Sequence, residues 1–458
     1  MARLHSLPYE ILHYIFEDLD RKSLNSASLA SRALNELASK CLYTNITINF
    51  ARIEVLYGAR AEERPKRLVP VCNPFDAFSR RPELRKRVRR VKLCAPYSRY
   101  LYADKISTDH AVVCCQELSL LRGLETMTIT CELKGEALDA LAQSISGLQL
   151  LQEVDCQSTL EVLRGVSTVQ RFAIWWGNLH QIHSFPNITS RIYKVKCRWT
   201  PWMIIDQTVL SFPRLRELEG GGLPQTLPEL CSSLSIATNL THLKFRLTTS
   251  IFQFDNLVPE QSGLTKLVSL TILVYAKHSN FNEDLILNVV EGLASKSRLR
   301  NLSLPTRNAR PPVLHSQKLV THIVRTHTGS LQKLRIPLFT TSKSTMIQIL
   351  RGLPYLTHLW IAVTYESRNW IPDVLSLSRS LEKLRLYGPG TWLISYARGL
   401  LLQAAQNLLA IKACRSCHRD YIEKVAWKVY WEYDCDLRRA VRQINGPLEC
   451  EIAETRPR

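Results

Sequence analysis

Several things are scarce in this chain of 458 residues, and each scarcity removes a class of explanation. No run of eighteen or more apolar residues occurs, so no segment reads as a membrane-spanning helix. The N-terminus lacks the charged stretch and apolar core of a secretory signal, and the chain is therefore expected to be soluble and to work in the cytoplasm or the nucleus. The 13 cysteines are scattered and odd in number, which predicts reduced, largely buried thiols instead of a disulfide framework. There is no phosphate-binding glycine loop, no G-x-S-x-G, no H-E-x-x-H and no glycine-rich turn after a strand. Nothing in the sequence argues for catalysis, so no catalytic residue, metal site or cofactor is assigned. Glycine is sparse at 17 residues while hydrophobic residues reach 45%, a composition that fits a folded protein.

What is present begins with the first forty-odd residues. Ile11, Leu12, Ile15, Phe16 and Leu19 recur at helical spacing behind Pro8, a residue tolerated in a first helical turn. Asp20 to Ser23 supplies a polar break, after which Leu24, Ala27, Leu29, Leu34 and Leu37 predict a second and a third short helix. About forty residues bury too little apolar surface to be comfortably stable alone, so this unit needs a partner, either the rest of the chain as a cap or another protein. The order Leu7-Pro8, Glu10-Ile11-Leu12, Ile15-Phe16, Leu19-Asp20, Ser23-Leu24 and Leu29-Ala30-Ser31-Arg32 resembles the F-box, specifically its fungal versions. One departure is Leu34, where many F-boxes carry Trp. The resemblance implies an F-box over residues 3–46 that docks on a Skp-type adaptor and through it on a cullin. It assigns adaptor binding to Leu7, Pro8, Ile11, Leu12, Ile15, Leu19, Leu24 and Leu29.

At this length the remainder must be several domains or a repeat array. From Val88 onward the chain returns to the template L-x-x-L-x-L, most clearly from Leu215, Leu240, Leu267, Leu299, Leu331, Leu356 and Leu381. Weaker copies start at Val88, Leu124, Leu151, Val169, Ile192 and Leu408, and the mean spacing of about 27 residues lies in the leucine-rich-repeat range. The family's Asn is missing; its place holds Thr248, Tyr275, Arg307, Phe339, Thr364 and Pro389. The array resembles the irregular leucine-rich repeats found behind F-boxes. The expected fold is thus α/β: a three-helix F-box, then a curved solenoid over 88–413 with its strands on the concave side. Helical spacing is expected over 284–295, 314–326 and 341–353. Residues 47–87, rich in charge and proline, read as a linker or exposed loop, and 414–458 as a capping helix and tail.

If each template is a strand, the residues two, four and six places after its first apolar residue point away from the core. Lys or Arg fills about a third of those places against about 13% of the whole chain, which carries a net charge of +20. The candidates for binding a target are Lys194, Lys196, Arg198, Lys244, Arg246, Lys333, Arg335, Lys383 and Arg385, with Trp360 among them as an anchor. Such a face suits an acidic or phosphorylated segment, because Arg forks pair with carboxylate or phosphate. The plainer alternative is that outward strand positions are simply polar in a basic protein.

Other signals fail on context. Cys414-x-x-Cys417-His418 has the spacing of a haem attachment, and with Cys435 and Cys450 it suggests zinc, but compact ligand pairs are lacking. Four N-x-[ST] sites, at Asn45, Asn187, Asn239 and Asn301, do not count in a cytosolic or nuclear chain. The basic run from Arg80 to Arg90 reads equally as a nuclear localisation signal or a solvated face. The function expected is a non-catalytic substrate receptor of a ubiquitin ligase, with nucleic-acid binding by the basic solenoid and a non-ligase F-box scaffold as the alternatives.

Overall fold

A computed structural model describes residues 7–50, 52–55, 66–69, 73–94, 105–131, 133–156, 160–163, 166–174, 186–197, 207–220, 227–248, 264–275, 283–305, 314–364, 367, 369–375, 377–378, 380–388 and 410–415. The expected capping helix from 421, along with Cys417, His418 and Arg198, lies outside these residues. The chain divides into two compact units: Met1–Thr200 with Phe212–Arg214, and Pro201–Ser211 with Leu215–Arg458.

The first unit opens with three short helices, α1 (Tyr9–Asp18), α2 (Arg21–Ala30) and α3 (Arg32–Thr44). Their boundaries are written in polar residues. Pro8 starts α1, its carbonyl accepting from the amides of Ile11 and Leu12 at 3.1 Å. Asp20 caps α2, accepting from the Ser23 amide at 2.7 Å. That bond to the Ser23 amide, first among the causes, lowers the Asp20 carboxyl below its usual range. Ser31 caps α3, accepting from the Leu34 amide at 3.2 Å. Each cap satisfies an amide that the first helical turn leaves without a partner, which contributes about 1 kcal/mol. Phe16, Leu24, Leu34, Leu37 and Ala38 form the buried centre of the three helices, with Leu12, Leu19, Ala27, Cys41 and Leu42 packed around it.

α3 runs without a break into β1 (Asn45–Asn49), which pairs in parallel with β4 (Arg90–Cys94). Between them lie β2 (Arg52–Val55), β3 (Lys66–Val69) and α4 (Phe75–Arg80); β2 pairs antiparallel with β3 and with β5 (Lys105–Ile106). Residues 47–87 are therefore not simply a linker or exposed loop. Ile46, Ile48 and Phe50 alternate into the core, and Phe78 and Leu84 are fully buried. The strand array starts ahead of Val88 because Ile46 and Ile48 already supply the alternation that a half-buried strand needs.

The parallel sheet of this unit continues through β6 (Thr126–Ile129), β7 (Glu153–Cys156), β8 (Arg171–Ile174) and β9 (Lys194–Cys197). Helices α5 (Thr108–Glu117), α6 (Glu136–Ser146) and the single turn α7 (Pro186–Thr189) fall between the strands. The basic run is largely tied down: Arg81 meets Glu83 at 2.9 Å, Arg85 meets Glu117 at 3.6 Å, and Arg89 meets Glu125 at 3.6 Å.

The second unit repeats the pattern with α8 (Gln207–Leu210), β10 (Glu217–Glu219), α9 (Leu227–Ser235), β11 (His242–Thr248), β12 (Ser269–Tyr275), α10 (Glu283–Ala294) and β13 (Asn301–Ser303). It continues with β14 (Leu314–His315), α11 (Gln317–His327), β15 (Lys333–Thr340), α12 (Lys343–Gly352), β16 (His358–Ala362), α13 (Ile371–Leu375), β17 (Lys383–Gly388) and β18 (Ala410–Arg415). Strands β10 to β13 and β15 to β18 form a parallel run, with β14 beside β15. Apart from β14, every parallel strand from β4 onward begins two residues after a template start, including the weak copies at Val88, Leu124, Leu151, Val169 and Ile192. The first residues of the described templates are all buried. Register then stacks like on like: Leu243, Leu270, Leu302, Leu334, Leu359 and Leu384 form one apolar row.

Backbone bonds recur at each step. The Val268 amide donates to the Thr241 carbonyl, Arg300 to Val268, Gln332 to Arg300, Thr357 to Gln332 and Glu382 to Thr357, all at 2.8 Å. This main-chain ladder joins successive repeats where the family's Asn is missing, and Phe339, in one such place, is fully buried. On the helical side α11 packs between α10 and α12, with Lys318 on Asp284 at 2.8 Å and the Gln348 amide on the Thr321 hydroxyl at 3.0 Å. α11 also buries His327, whose ring nitrogens meet no hydrogen-bond partner of good geometry among the described residues. Burial, then the neighbouring His322, pushes its pKa down to about 4.

Candidate functional site

Two surfaces carry the residues singled out from sequence. The first is on the N-terminal helices. Packing consumes one side of each helix and leaves a set of large apolar side chains in solvent: Leu7, Tyr9, Ile11, Tyr14 and Ile15 on and just before α1, and Leu29 on α2. Ile11 and Ile15 are four residues apart, so they share one face of α1, and Leu7 is exposed just ahead of the helix. Ile11 is 47% and Leu29 86% exposed, values that cost free energy in a monomer and are recovered when a partner covers them. Pro8 is exposed beside them, while Leu12 and Leu19 are half-buried against the helical core. Leu24 corrects the sequence assignment: at 6% exposure it faces α3 and cannot touch a partner, so its part is to hold α2 in place. Tyr9 and Tyr14 are the exposed residues that the sequence reading passed over, although Tyr14 stands three residues from Ile11 at helical spacing.

The second surface is the outward side of the strands. In the first unit the cations are interleaved with acids. Arg171 stands between Glu153 and Lys194 in register and meets Glu153 at 3.4 Å, and the row of Lys196 contains buried Asp155. Lys194 and Lys196 are half-buried. In the second unit Lys244 is held by Glu219 at 2.6 Å, and its row continues through the neutral Thr271 and Ser303. Arg246 is displaced along β11 to a position beside Leu273.

The same row then changes character. Ser303 is followed by Arg335, Trp360, Arg385 and Lys412, and the row two residues earlier reads Asn301, Lys333, His358, Lys383 and Ala410. From β12 to β18 neither row contains an acidic residue. The Arg335 guanidinium carbon lies 4.8 Å from the centre of the Trp360 ring and that of Arg385 lies 4.7 Å from it. Because β15 and β17 flank β16, the two guanidinium groups approach the indole from opposite sides. Each such contact contributes roughly 0.5–1 kcal/mol at a half-exposed position and limits the freedom of a long side chain. Lys333 and Lys383 are exposed, whereas Arg335, Trp360, Arg385 and His358 are half-buried. The His358 pKa is lowered, first by burial and then by Lys333 and Lys383. The stacking is what the sequence reading missed; its signal is the shared offset, since all three residues stand four places after Leu331, Leu356 and Leu381.

Among the described residues no three His, Cys, Asp or Glu side chains converge on a metal-sized site, and no helix is long and apolar enough to cross a membrane. Burial raises the Cys114 thiol to about 11 and that of Cys115 to about 12, which keeps both protonated and poorly nucleophilic.

Comparison with known proteins agrees with the first surface. The F-box-like family model matches residues 4–49. No curated protein matches the chain in sequence. Among solved structures, the yeast Rad7–Elc1 complex is similar at 13% identity and a TM-score of 0.38, covering 84% of this chain and 94% of that one. A leucine-rich-repeat protein of Leptospira interrogans is similar at 13% identity and a TM-score of 0.32, covering 70% of this chain and 90% of that one. An internalin of Listeria monocytogenes is similar at 14% identity and a TM-score of 0.27, covering 66% of this chain and 78% of that one. Residues 4–49 carry an F-box-like domain, and α3, its last helix, passes directly into the parallel strands of an α/β repeat array.

Proposed function

We propose that this chain is the substrate-receptor subunit of a Skp–cullin–F-box ubiquitin ligase in the cytoplasm or the nucleus. The F-box-like domain docks on a Skp-type adaptor, and the outward strand face captures a target protein. The observation that carries the reading is the set of exposed apolar residues on a domain of this type, with Leu7, Ile11, Ile15 and Leu29 uncovered while their neighbours fill a core. An amphipathic helical face laid into an apolar groove is a common way to bind such a partner. The chain itself performs no chemistry in this scheme. It raises the local concentration of a target lysine near a ubiquitin-conjugating enzyme brought by the cullin.

Co-purification with a Skp-type adaptor tests the reading, comparing the wild type with Leu7→Ala/Pro8→Ala. The expected result is capture by the wild type and loss in the double variant. Absence of adaptor from the wild type, or full retention by the variant, contradicts it.

A further inference from the structure

Resting on the reading that the strand face captures the target, we infer that the row Lys333–His358–Lys383 is a proton-coupled site for an acidic peptide segment. Carboxylates of the target bind across the two lysines, and His358 takes up a proton as they do.

Register builds the row. Lys333, His358 and Lys383 are paired in succession on β15, β16 and β17. Inter-strand steps of about 4.8 Å set the imidazole midway between two lysine stems, both long enough to bring an ammonium group over it. Lys333 and Lys383 are exposed, and among the described residues no carboxylate lies within 4.0 Å of either. The row ends on neutral residues, Asn301 on one side and Ala410 on the other.

A neighbouring hydroxyl fixes which nitrogen titrates. Thr357 Oγ1 lies 3.1 Å from the Gln332 carbonyl oxygen and 2.9 Å from His358 Nδ1. A carbonyl can only accept, so the hydroxyl proton goes to Gln332 and the hydroxyl oxygen accepts from Nδ1–H. Nε2 is then the nitrogen that gains or loses a proton. Without a ligand the ring is neutral at pH 7: burial, then Lys333 and Lys383, lower its pKa from the ordinary 6.5, and Glu382, just ahead of β17, pulls more weakly the other way. Arg335 and Arg385, the other charged groups on the flanking strands, stand one outward position further along, against Trp360. An anion laid over the lysines offsets the charge that keeps the proton away and favours the imidazolium, whose Nε2–H donates to it. The ligand-bound pKa therefore lies above the free one. By linkage, the gain in affinity is fully present below the free value and is lost as pH rises through the bound value.

His242 supplies the internal control. Thr241 holds it in the same way, its hydroxyl oxygen 3.0 Å from the Arg216 carbonyl oxygen and 2.9 Å from His242 Nδ1, but its row neighbours are Glu217 and Ser269. What distinguishes His358 is the pair of lysines. Single-stranded nucleic acid is disfavoured, because it needs an open ring to stack on and both faces of Trp360 are covered by guanidinium.

The experiment uses the full chain and a labelled Asp-rich peptide, read by fluorescence anisotropy between pH 6 and 8. The peptide's carboxylates, with an ordinary pKa of about 3.9, stay ionised throughout. The wild type should bind about tenfold more tightly at pH 6 than at pH 8, and calorimetry in buffers of different ionisation enthalpy should show net proton uptake. His358→Gln should flatten the profile to less than about twofold and abolish the uptake, whereas His242→Gln should leave both as in the wild type. His358→Lys places a permanent charge in the row and should bind at pH 8 about as tightly as the wild type does at pH 6, which a misfolded variant could not do. Lys333→Gln/Lys383→Gln should weaken binding about tenfold at pH 6 and raise the His358 titration midpoint seen by NMR without peptide. No binding by the wild type, a flat wild-type profile, an unchanged slope in His358→Gln, or tighter binding of a single-stranded oligonucleotide of equal charge overturns the inference. Adaptor capture is measured on the same samples: a chain that holds adaptor but binds the peptide without regard to pH refutes the row and spares the ligase reading. A chain that shows the slope but holds no adaptor does the reverse.

Discussion

The N-terminal helices and the strand face at β15–β17 both present something unusual at the surface, but of opposite kinds. In the helical domain the surplus is apolar: three short helices can bury Phe16, Leu24, Leu34 and Leu37 but have no side left for Ile11, Ile15 or Leu29. On β15–β17 the feature is positive charge: the repeat stacks Arg335, Trp360 and Arg385 at one offset, and neither that row nor the row of Lys333 and Lys383 holds an acidic residue on these strands. Elsewhere on the strands the same repeat places Glu219 against Lys244 and Glu153 against Arg171. An apolar surplus asks for a shaped partner and is insensitive to salt, whereas a basic face asks for an acidic partner and is weakened by salt.

Several changes separate the two surfaces, in descending size of effect. Phe16→Ala removes a side chain that is 2% exposed and should cost the helical domain about 3–5 kcal/mol. Adaptor capture should fall with it while peptide binding at the strands persists, checked by circular dichroism and the two binding assays. Acid should act on the repeat array instead. His327 has an ordinary pKa of 6.5 and a folded value of about 4, so below pH 6.5 the unfolded chain takes up a proton that the native state refuses. The stability tied to this group is fully present above pH 6.5 and is lost as pH falls toward 4, by roughly 3 kcal/mol in all. His327→Leu should flatten that part of a urea-denaturation profile measured between pH 7 and 4. Raising salt from 50 to 200 mM should weaken binding of an acidic target peptide to the strand face about fivefold while adaptor capture changes less than twofold, as read by titration calorimetry. The smallest effect is expected from Asp20→Ala, which removes the α2 cap and should slightly lower the melting temperature of the helical domain in a circular-dichroism melt, with peptide affinity unchanged.

Much of this was legible in the sequence, and the gaps have physical causes. The repeat register could be read at every copy, weak ones included, because a buried first residue and a two-residue lead into the strand do not depend on which apolar residue is used. The same offset placed Arg335, Trp360 and Arg385 in one row. It also aligned Glu219 with Lys244, but whether paired charges meet depends on rotamers that no spacing encodes. In the helices, the polar break from Asp20 to Ser23 was legible, whereas the caps made by Asp20 and Ser31 came only with the structure. Leu24 and Leu29 could not be told apart, since both are apolar at helical spacing and only the position of α3 decides which one is covered. β1 escaped because α3 enters it without a polar break, so residues 47–87 looked like a connection and not the start of the sheet.

The claim that matters most is that one chain holds two partners by independent chemistries. It is tested directly by titrating the Skp-type adaptor into the full-length protein with and without a saturating acidic peptide bound to the strand face. The expected result is adaptor affinity equal within about twofold and a complex from size exclusion that carries both ligands, one of each per chain. Displacement of the peptide by the adaptor, or adaptor binding abolished by Arg335→Gln/Arg385→Gln in a folded protein, would contradict it.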